Sequence, residues 1–315
     1  MNISVTPVSP TDLSAATVVA VVVSYEPALD ALDGLLRSIL QQVATVWIVD
    51  NGSAADVPGW VERQGSAKLR CLRLPENLGV AAAQNRGIEK ARQAGTEFVL
   101  LLDQDSGPAQ DMVDRLLAAV RARQAEGIQV GAVGPLCIDQ RNGRPQAFVQ
   151  LRGIFYRRVR CRDAQEAIET NDLIASGCLI PMSVLDVAGD MAEPLFIDYV
   201  DTEWSLRARR HGYRLFGVCA ARMEHALGDA GVDLPGRRVA LHSPLRHYYM
   251  FRNAIWLARR RDVATSWKVA DGLRLLQRFV FYALCARPRT EHLRMMLRGM
   301  ADGWRGRMGR FDVRR

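Results

Sequence analysis

Apolar, β-branched runs alternate with helical spacing through the first half of the chain, and that alternation leaves few folds open. TVVAVVVS (17–24) is followed by Leu29, Leu32, Leu36, Ile39 and Leu40 at helical spacing, then by TVWIVD (45–50). A weaker strand, LRCLRL (69–74), precedes an Ala-rich helix over 79–94; EFVLLLD (97–103), a helix near 110–124 and VGAVGP (130–135) complete the series. FVLLL lacks period-2 alternation, as a strand covered on both faces should. Strand, helix, strand with connections this short predicts parallel strands joined by right-handed crossovers. The expected fold is α/β, a Rossmann-like, doubly wound, mostly parallel sheet.

Such sheets bind ligands outside the carboxyl ends of their strands. Those ends carry Ser24-Tyr25-Glu26, Asp50-Asn51-Gly52-Ser53 and Asp103-Gln104-Asp105-Ser106, so all three sets are expected around one crevice. Asp103 and Asp105 are hard oxygen donors of the kind that hold Mg²⁺ or Mn²⁺ together with substrate phosphates. A solvated turn closed by Gly107-Pro108 is the competing reading. Asp50 can accept from the N–H of a pyrimidine base, or can belong to a βα turn with Gly52 left-handed. NLGVAAAQNRG (77–87) opens a helix with small residues, which permits either close approach of a ligand or tight packing. It is not G-x-G-x-x-G, and the chain has no P-loop, so a nicotinamide cofactor and P-loop chemistry are poorly supported.

Residues 136–236 are less regular, with a helix near 201–211 and a loop expected over 226–240. In FIDYVDTEWSLRARRHGYRLF (196–216), Asp201 stands at a helix start, where it can act as a cap. There the helix dipole would also favour the ionised form that a general base requires. Glu203 and Arg207 are spaced as an i,i+4 pair. In HSPLRHYYMFRNAIWLARR (242–260), Arg252 shares a face with Leu245, Tyr248, Tyr249, Ile255 and Trp256. A core-facing guanidinium needs an anionic partner. Either a protein carboxylate or a ligand diphosphate would serve, with Arg246 close enough to share the latter.

Charge is divided unevenly. From Arg237 to the end there are 19 Lys and Arg against 5 Asp and Glu, a net +14, whereas residues 1–236 carry 23 against 29, a net −6. No nucleic-acid partner is expected. Six cysteines without a C-x-x-C pair, several inside apolar segments, suggest buried free thiols in a reducing, cytoplasmic compartment. Residues 1–16 lack the basic and apolar regions of a secretory signal, and Phe279–Ala286 is far short of the roughly 20 residues a membrane span needs.

VVVSYEP, VDNGS, NLGVAAAQNRG, LLDQDS, ASGCLIP (175–181), YVDTEWSLRARRHGY and the R-x-Y-Y-x-x-R-N run (246–253) resemble, in this order, glycosyltransferase family 2, and most of all its bacterial rhamnosyltransferase branch. The resemblance spans about residues 18–260. It implies a GT-A fold and inverting, metal-dependent transfer from a nucleotide sugar, with dTDP-L-rhamnose the expected donor and UDP-sugars the alternative. By position, Ser24, Tyr25 and Glu26 would belong to the donor site, Asp50 would read the base, and Asn77, Gly79 and Asn85 would line the nucleoside pocket. Asp103 would hold the ribose side with Gln104 beside it, Arg246 and Arg252 would face the diphosphate, and Asp105 with His225 would bind Mg²⁺ or Mn²⁺. Asp201 would deprotonate the acceptor, with Gly177, Glu203 and Trp204 on the acceptor side. Many relatives carry a Glu-Asp pair where this chain has Val200-Asp201.

The expected division is a tail over 1–16, a catalytic domain over 17–240 (nucleotide-binding half 17–135, acceptor half 136–240) and a basic helical region over 241–315, broken at Pro288 with Thr290 as a possible cap. In that region Leu273, Leu276, Val280 and Leu284, then Leu293, Met296, Leu297, Met300 and Trp304, recur at helical spacing among arginines. Such helices can pack on the catalytic domain or a second subunit, or can lie on an anionic membrane surface near a lipid-linked or saccharide acceptor for cell-surface polysaccharide. Two other functions compete, a nucleotidyltransferase and a non-catalytic nucleotide-sugar-binding protein. The first lacks its Gly-rich phosphate loop after 17–24, and the second gives no reason for Asp201.

Overall fold

A computed structural model describes residues 17–140, 143–225, 230–234 and 237–312; for His225, 230–234 and 237–241 the backbone alone is described. The expected tail over 1–16 lies outside these residues. The chain begins with the alternation read from the sequence, to which α2 and β5 are additions: β1 (Val18–Ser24), α1 (Leu29–Ile39), β2 (Thr45–Asp50), α2 (Val57–Arg63), β3 (Leu69–Arg73), α3 (Val80–Gln93), β4 (Phe98–Asp103), β5 (Ser106–Pro108), α4 (Met112–Ala125) and β6 (Val130–Asp139). β1 is covered on both faces. Val18, Ala20 and Val22 pack with Leu32, Leu36 and Leu116 of α1 and α4, while Val19 and Val21 pack with Ala81 and Ile88 of α3. Uniformly apolar strands thus make two cores at once.

The middle of the chain adds the hairpin β7 (Phe148–Arg152) and β8 (Phe155–Val159), then β9 (Ala167–Thr170), β10 (Cys178–Pro181), α5 (Met182–Ala188), α6 (Val200–Arg210) and β11 (Arg214–His225). The nine-stranded sheet runs β3-β2-β1-β4-β10-β6-β11-β5, with β9 also on β11. β3, β2, β1, β4, β6 and β11 point the same way; β10, β5 and β9 oppose them. The sheet is therefore mixed rather than purely wound. VGAVGP does run with β4, but β10 stands between them, its Cys178–Pro181 paired with Phe98–Leu101. Within the segment expected as a loop, β12 (Ala230–Leu234) and β13 (Arg237–Leu241) pair as an antiparallel ribbon.

Three helices follow: α7 (Pro244–Arg259), α8 (Thr265–Cys285) and α9 (Arg289–Arg305). α9 begins after Pro288 with no side-chain cap, so Thr290 does not take that role. Among the described residues, no helix is long and apolar enough to cross a membrane.

The expectation of free thiols is corrected at two positions. Cys161 and Cys219 form a disulfide, because β9 lies along β11 and brings residues 58 apart in sequence to a Cα separation of 5.8 Å. Cys137 and Cys178 are buried free thiols, Cys71 is half-buried and Cys285 is exposed. The redox argument for a reducing compartment therefore falls.

Candidate active site

The carboxyl ends of β1, β2 and β4 lie side by side, Ser24 beside Asp50 and Val23 beside Asp103 in register. A crevice of about 460 Å³ opens over them. Of the residues singled out from the sequence, Tyr25, Asn77, Gly79, Asp103, Gln104, Asp201 and Arg246 line it.

The sheet-side wall is built by bonds between turns that the parallel strands place side by side. The Tyr25 N–H donates to Gln104 Oε1 (2.8 Å), which ties the end of β1 to the turn after β4. Asn51 accepts from the Leu78 N–H (2.9 Å) and donates to Asn77 Oδ1 (3.1 Å), and Asn77 Oδ1 also accepts from the Gly79 N–H (3.0 Å). Asn51, adjacent to the predicted Asp50, is the residue of that turn that lines the crevice. Gly52 is left-handed as expected, with φ +81°, and a Cβ there would lie 2.5 Å from the Glu76 carbonyl carbon.

Asp50 itself is fully buried behind this wall. Its Oδ1 accepts from the Ser53 N–H (3.1 Å) and hydroxyl (2.5 Å), and its Oδ2 is 3.6 Å from Arg73 Nε. Ser24 is likewise buried, and Glu26 is turned to the Ser53–Ala54 backbone, accepting from the Ala54 N–H (2.8 Å). Ser24, Glu26 and Asp50 thus support the crevice without lining it.

The facing wall is the segment from Phe196 to Asp201. Three of its non-glycine residues are left-handed: Phe196 (φ 66°), Asp198 (61°) and Tyr199 (64°). Such conformations cost roughly 1–3 kcal/mol each and need support from elsewhere. Asn253 of α7 supplies it, its Nδ2 donating to the carbonyls of Leu195 (3.0 Å), Ile197 (2.8 Å) and Asp198 (2.8 Å). Arg246 forms an ion pair with Asp198 (3.2 Å). Gly79 is where the walls meet. It has φ +91°, and a Cβ there would lie 2.6 Å from the Phe196 carbonyl oxygen.

Asp201 is the second residue of α6, and its Oδ1 accepts from the Thr202 N–H (2.8 Å). The helix start does not dominate its acidity. Burial, then the neighbouring Asp172 and more distantly Asp198 and Asp103, push its carboxyl up to about 7. Asp172, chiefly through burial, is raised to about 6. The two titrate as a pair. Asp172 was not singled out from the sequence; its only signal is an acidic residue a few positions before ASGCLIP.

Five predicted residues lie away from the crevice. Asn85 holds the 191–193 backbone, donating to the Met191 carbonyl (2.9 Å) and accepting from the Met191 N–H (2.9 Å). Glu203 is buried in ion pairs with Arg207 (2.8 Å) and Arg260 (2.9 Å). Trp204 packs in the α3-side core and donates to the Gly189 carbonyl (3.0 Å). Arg252 is fully buried, but its partners are the carbonyls of Leu195 (2.8 Å), Pro194 (3.3 Å) and Gly309 (2.5 Å) and the ring of Tyr249 (4.8 Å to the centroid). Neutral carbonyls satisfy it in place of the anion expected. Gly177 sits just before β10, its N–H on the Leu101 carbonyl (2.7 Å).

Asp105 lies half-buried in the turn between β4 and β5, and the backbone of His225 is in register with Ser106 next to it. The His225 side chain, expected to join Asp105 at a metal, lies outside the described residues. Among the described residues, no group of three or more His, Cys, Asp or Glu is arranged to hold a metal. Asp103 and Asp105 nevertheless present the hard oxygen donors that Mg²⁺ and Mn²⁺ take, the first in the crevice and the second two residues further on.

Residues 19–185 match the model of glycosyl transferase family 2. The chain is 29% identical over 296 residues to dTDP-rhamnosyl transferase RfbF of Shigella flexneri, covering 93% of this chain and 97% of that protein. Among solved structures, S. aureus TarS residues 1–349 in complex with UDP-GlcNAc align with TM-score 0.58 at 17% identity, over 91% of this chain and 80% of that one. GalNAc-T7 with UDP, GalNAc and Mn²⁺ also aligns at 0.58, with 13% identity over 91% of this chain and 56% of that one. At such identities these two speak for the fold. The family match covers more than half of the sequence, and the chain belongs to glycosyltransferase family 2.

Proposed function

We propose that this glycosyltransferase moves L-rhamnose from dTDP-L-rhamnose, with inversion, to a hydroxyl of a saccharide or lipid-linked acceptor of cell-surface polysaccharide. The observation that carries the reading is one crevice with two unlike walls. Asn77 and Gln104 offer amide nitrogens to a nucleotide on one side, with Asn51 holding Asn77 in place, and Asp201 offers a carboxylate on the other. In the proposed step Asp201 takes the proton of the acceptor hydroxyl, the oxygen bonds to the sugar's anomeric carbon, and the bond from that carbon to the diphosphate breaks. Arg246, beside the same crevice, can offset charge on the departing diphosphate once released from Asp198. Asp103 and Asp105 would hold Mg²⁺ or Mn²⁺, which supplies charge neutralisation for a leaving diphosphate. The rhamnosyl donor rests on the RfbF likeness. Saturating the protein in turn with dTDP-rhamnose, UDP-glucose, UDP-galactose and UDP-GlcNAc, and measuring donor hydrolysis, tests it. dTDP-rhamnose should be turned over fastest, and preference for a UDP-sugar would overturn the donor assignment.

Peripheral contact with the inner face of the cytoplasmic membrane belongs to the same proposal. Leu273, Leu276, Val280 and Leu284 of α8 and Leu293, Leu297 and Trp304 of α9 are exposed. Arg289, Arg294 and Arg305 are exposed on α9 as well. On α8 the expected flanking arginines do not accompany the apolar stripe, since Arg274 and Arg278 turn toward Asp271. Sedimentation with anionic liposomes should therefore fall with salt through the α9 arginines. Absence of sedimentation at low salt would leave these helices a role in packing alone.

A further inference from the structure

A second cavity, of about 260 Å³, shares Asp198 and Tyr199 with the crevice. Thr202 and Asp172 form one side of it, Tyr156 of β8 another, and α8 covers it with Asp271, Arg274 and Arg278. α8 lies outside the segment that matches the family. Asp271 is nearly buried and accepts from the Tyr199 hydroxyl (2.9 Å). The Arg274 guanidinium stacks over Tyr156, 4.3 Å from its centroid. Asp172 Oδ2 accepts from the Thr202 hydroxyl (2.9 Å), whereas its Oδ1, also withdrawn from solvent, makes no hydrogen bond among the described residues.

We infer that this cavity holds the acceptor sugar ring that carries the reacting hydroxyl, that this ring is uncharged, and that Asp271, Arg274 and Arg278 of α8 determine which sugar is accepted. The inference rests on the transfer reading above and gives its second substrate a place and a class. Consecutive residues of α6 connect the two spaces, Asp201 facing the crevice and Thr202 the cavity, so a ring held here can turn one hydroxyl toward Asp201. The lining offers acceptors on three carboxylates and donors on two guanidiniums, the mixture that a ring of hydroxyls satisfies, since each hydroxyl both donates and accepts. The three carboxylates, Asp172, Asp198 and Asp271, decide the charge. A sugar hydroxyl can donate to them, whereas a phosphate or uronate would bring further negative charge against them. Carboxylates at least balance the cationic groups here, so no excess positive charge offsets the desolvation of an anion. The cavity is also little more than half the volume of the crevice, which must take a nucleotide and its sugar.

Saturation-transfer NMR on the full chain tests this without turnover. The probes are the methyl glycosides of L-rhamnose, D-glucose and N-acetylglucosamine, the methyl glycoside of galacturonic acid, and dTDP for the crevice. At least one neutral glycoside should give signal, and the uronide none. Arg274→Ala and Asp271→Asn should each cut the glycoside signal fivefold or more and leave dTDP affinity within twofold. Should Arg274→Ala fail to fold, Arg274→Lys keeps the charge but loses the planar stack on Tyr156 and should show the same loss. Unchanged glycoside signal in the variants, preference for the uronide, competition between dTDP and glycoside, or silence from every neutral glycoside while dTDP binds would each overturn the inference. Glycoside binding without dTDP binding would instead sink the donor reading and leave the cavity's ligand class standing, whereas silence from both probes would sink both.

Discussion

The two walls of the crevice are made in opposite ways. The sheet-side wall is the set of turns that follow β1, β2 and β4, fixed by the strands' register and by bonds between neighbouring turns, such as Asn51 to Leu78 and Tyr25 to Gln104. The facing wall has three left-handed residues that no sheet enforces, and its backbone is pinned by Asn253, more than 50 residues later. One wall is a by-product of the fold, and the other is imposed by a helix outside the family match. Nucleotide binding should therefore depend mainly on the first, and transfer mainly on the second.

The hardest test of that division is Asp201→Asn, which keeps the shape and removes the base. Transfer should fall by about 10²–10⁴, as is typical of general-base loss, while nucleotide affinity is held by the sheet-side wall. Transfer by the unmodified protein should also rise with pH through about 7, where Asp201 loses its proton, and the variant should lack that limb. Equal loss of binding and transfer would erase the distinction between the walls.

Asn253→Ala should have a smaller effect of the same kind. Releasing three carbonyls lets the Phe196–Asp201 backbone relax, and a displacement near 1 Å can cost about 100-fold in rate. Transfer should drop by about 10- to 100-fold with dTDP affinity little changed, read by turnover and by titration. A matching loss of dTDP affinity would mean that α7 supports both walls.

The smallest effect concerns stability. Asp201 has a raised pKa in the folded chain, so the folded state holds its proton more tightly than the unfolded state, whose value is near 3.8. The contribution is favourable below that value and is lost as pH rises through about 7. Asp201→Asn removes the loss, so the variant should be more stable than the parent at pH 8 and equal to it near pH 4. Thermal melts at the two pH values measure this, and an equal shift at both would mean that the gain is not electrostatic.

The same contrast governs what the sequence disclosed. Local patterns carried β1 to β4, the helices α1 and α3 and the strand-end residues, because a strand buried on both faces can hardly be written otherwise; α2 left no such pattern. Asp201 was legible from its place at a helix start. β10 was not, since four residues inserted against the direction of β4 leave no periodic trace, and neither was the Cys161–Cys219 bridge, which depends on β9 folding back on β11. Asn85, Glu203, Trp204 and Arg252 were placed at the site by motif order, but each spends its polar atoms inside the protein. Asp172 and Asp271 carry no such signal, because their meaning arises only when α8 closes the second cavity.

Arg252 joins parts of the chain that are remote in synthesis. Its guanidinium reaches the carbonyls of Pro194 and Leu195 on one side and of Gly309 on the other, and the Gly309 N–H returns to the Pro194 carbonyl (2.8 Å). The residues that form the sheet-side wall all lie before residue 105, whereas the facing wall is held only when residue 309 is in place, so the last turn of the chain, remote in sequence from both walls, helps to set the shape of the crevice.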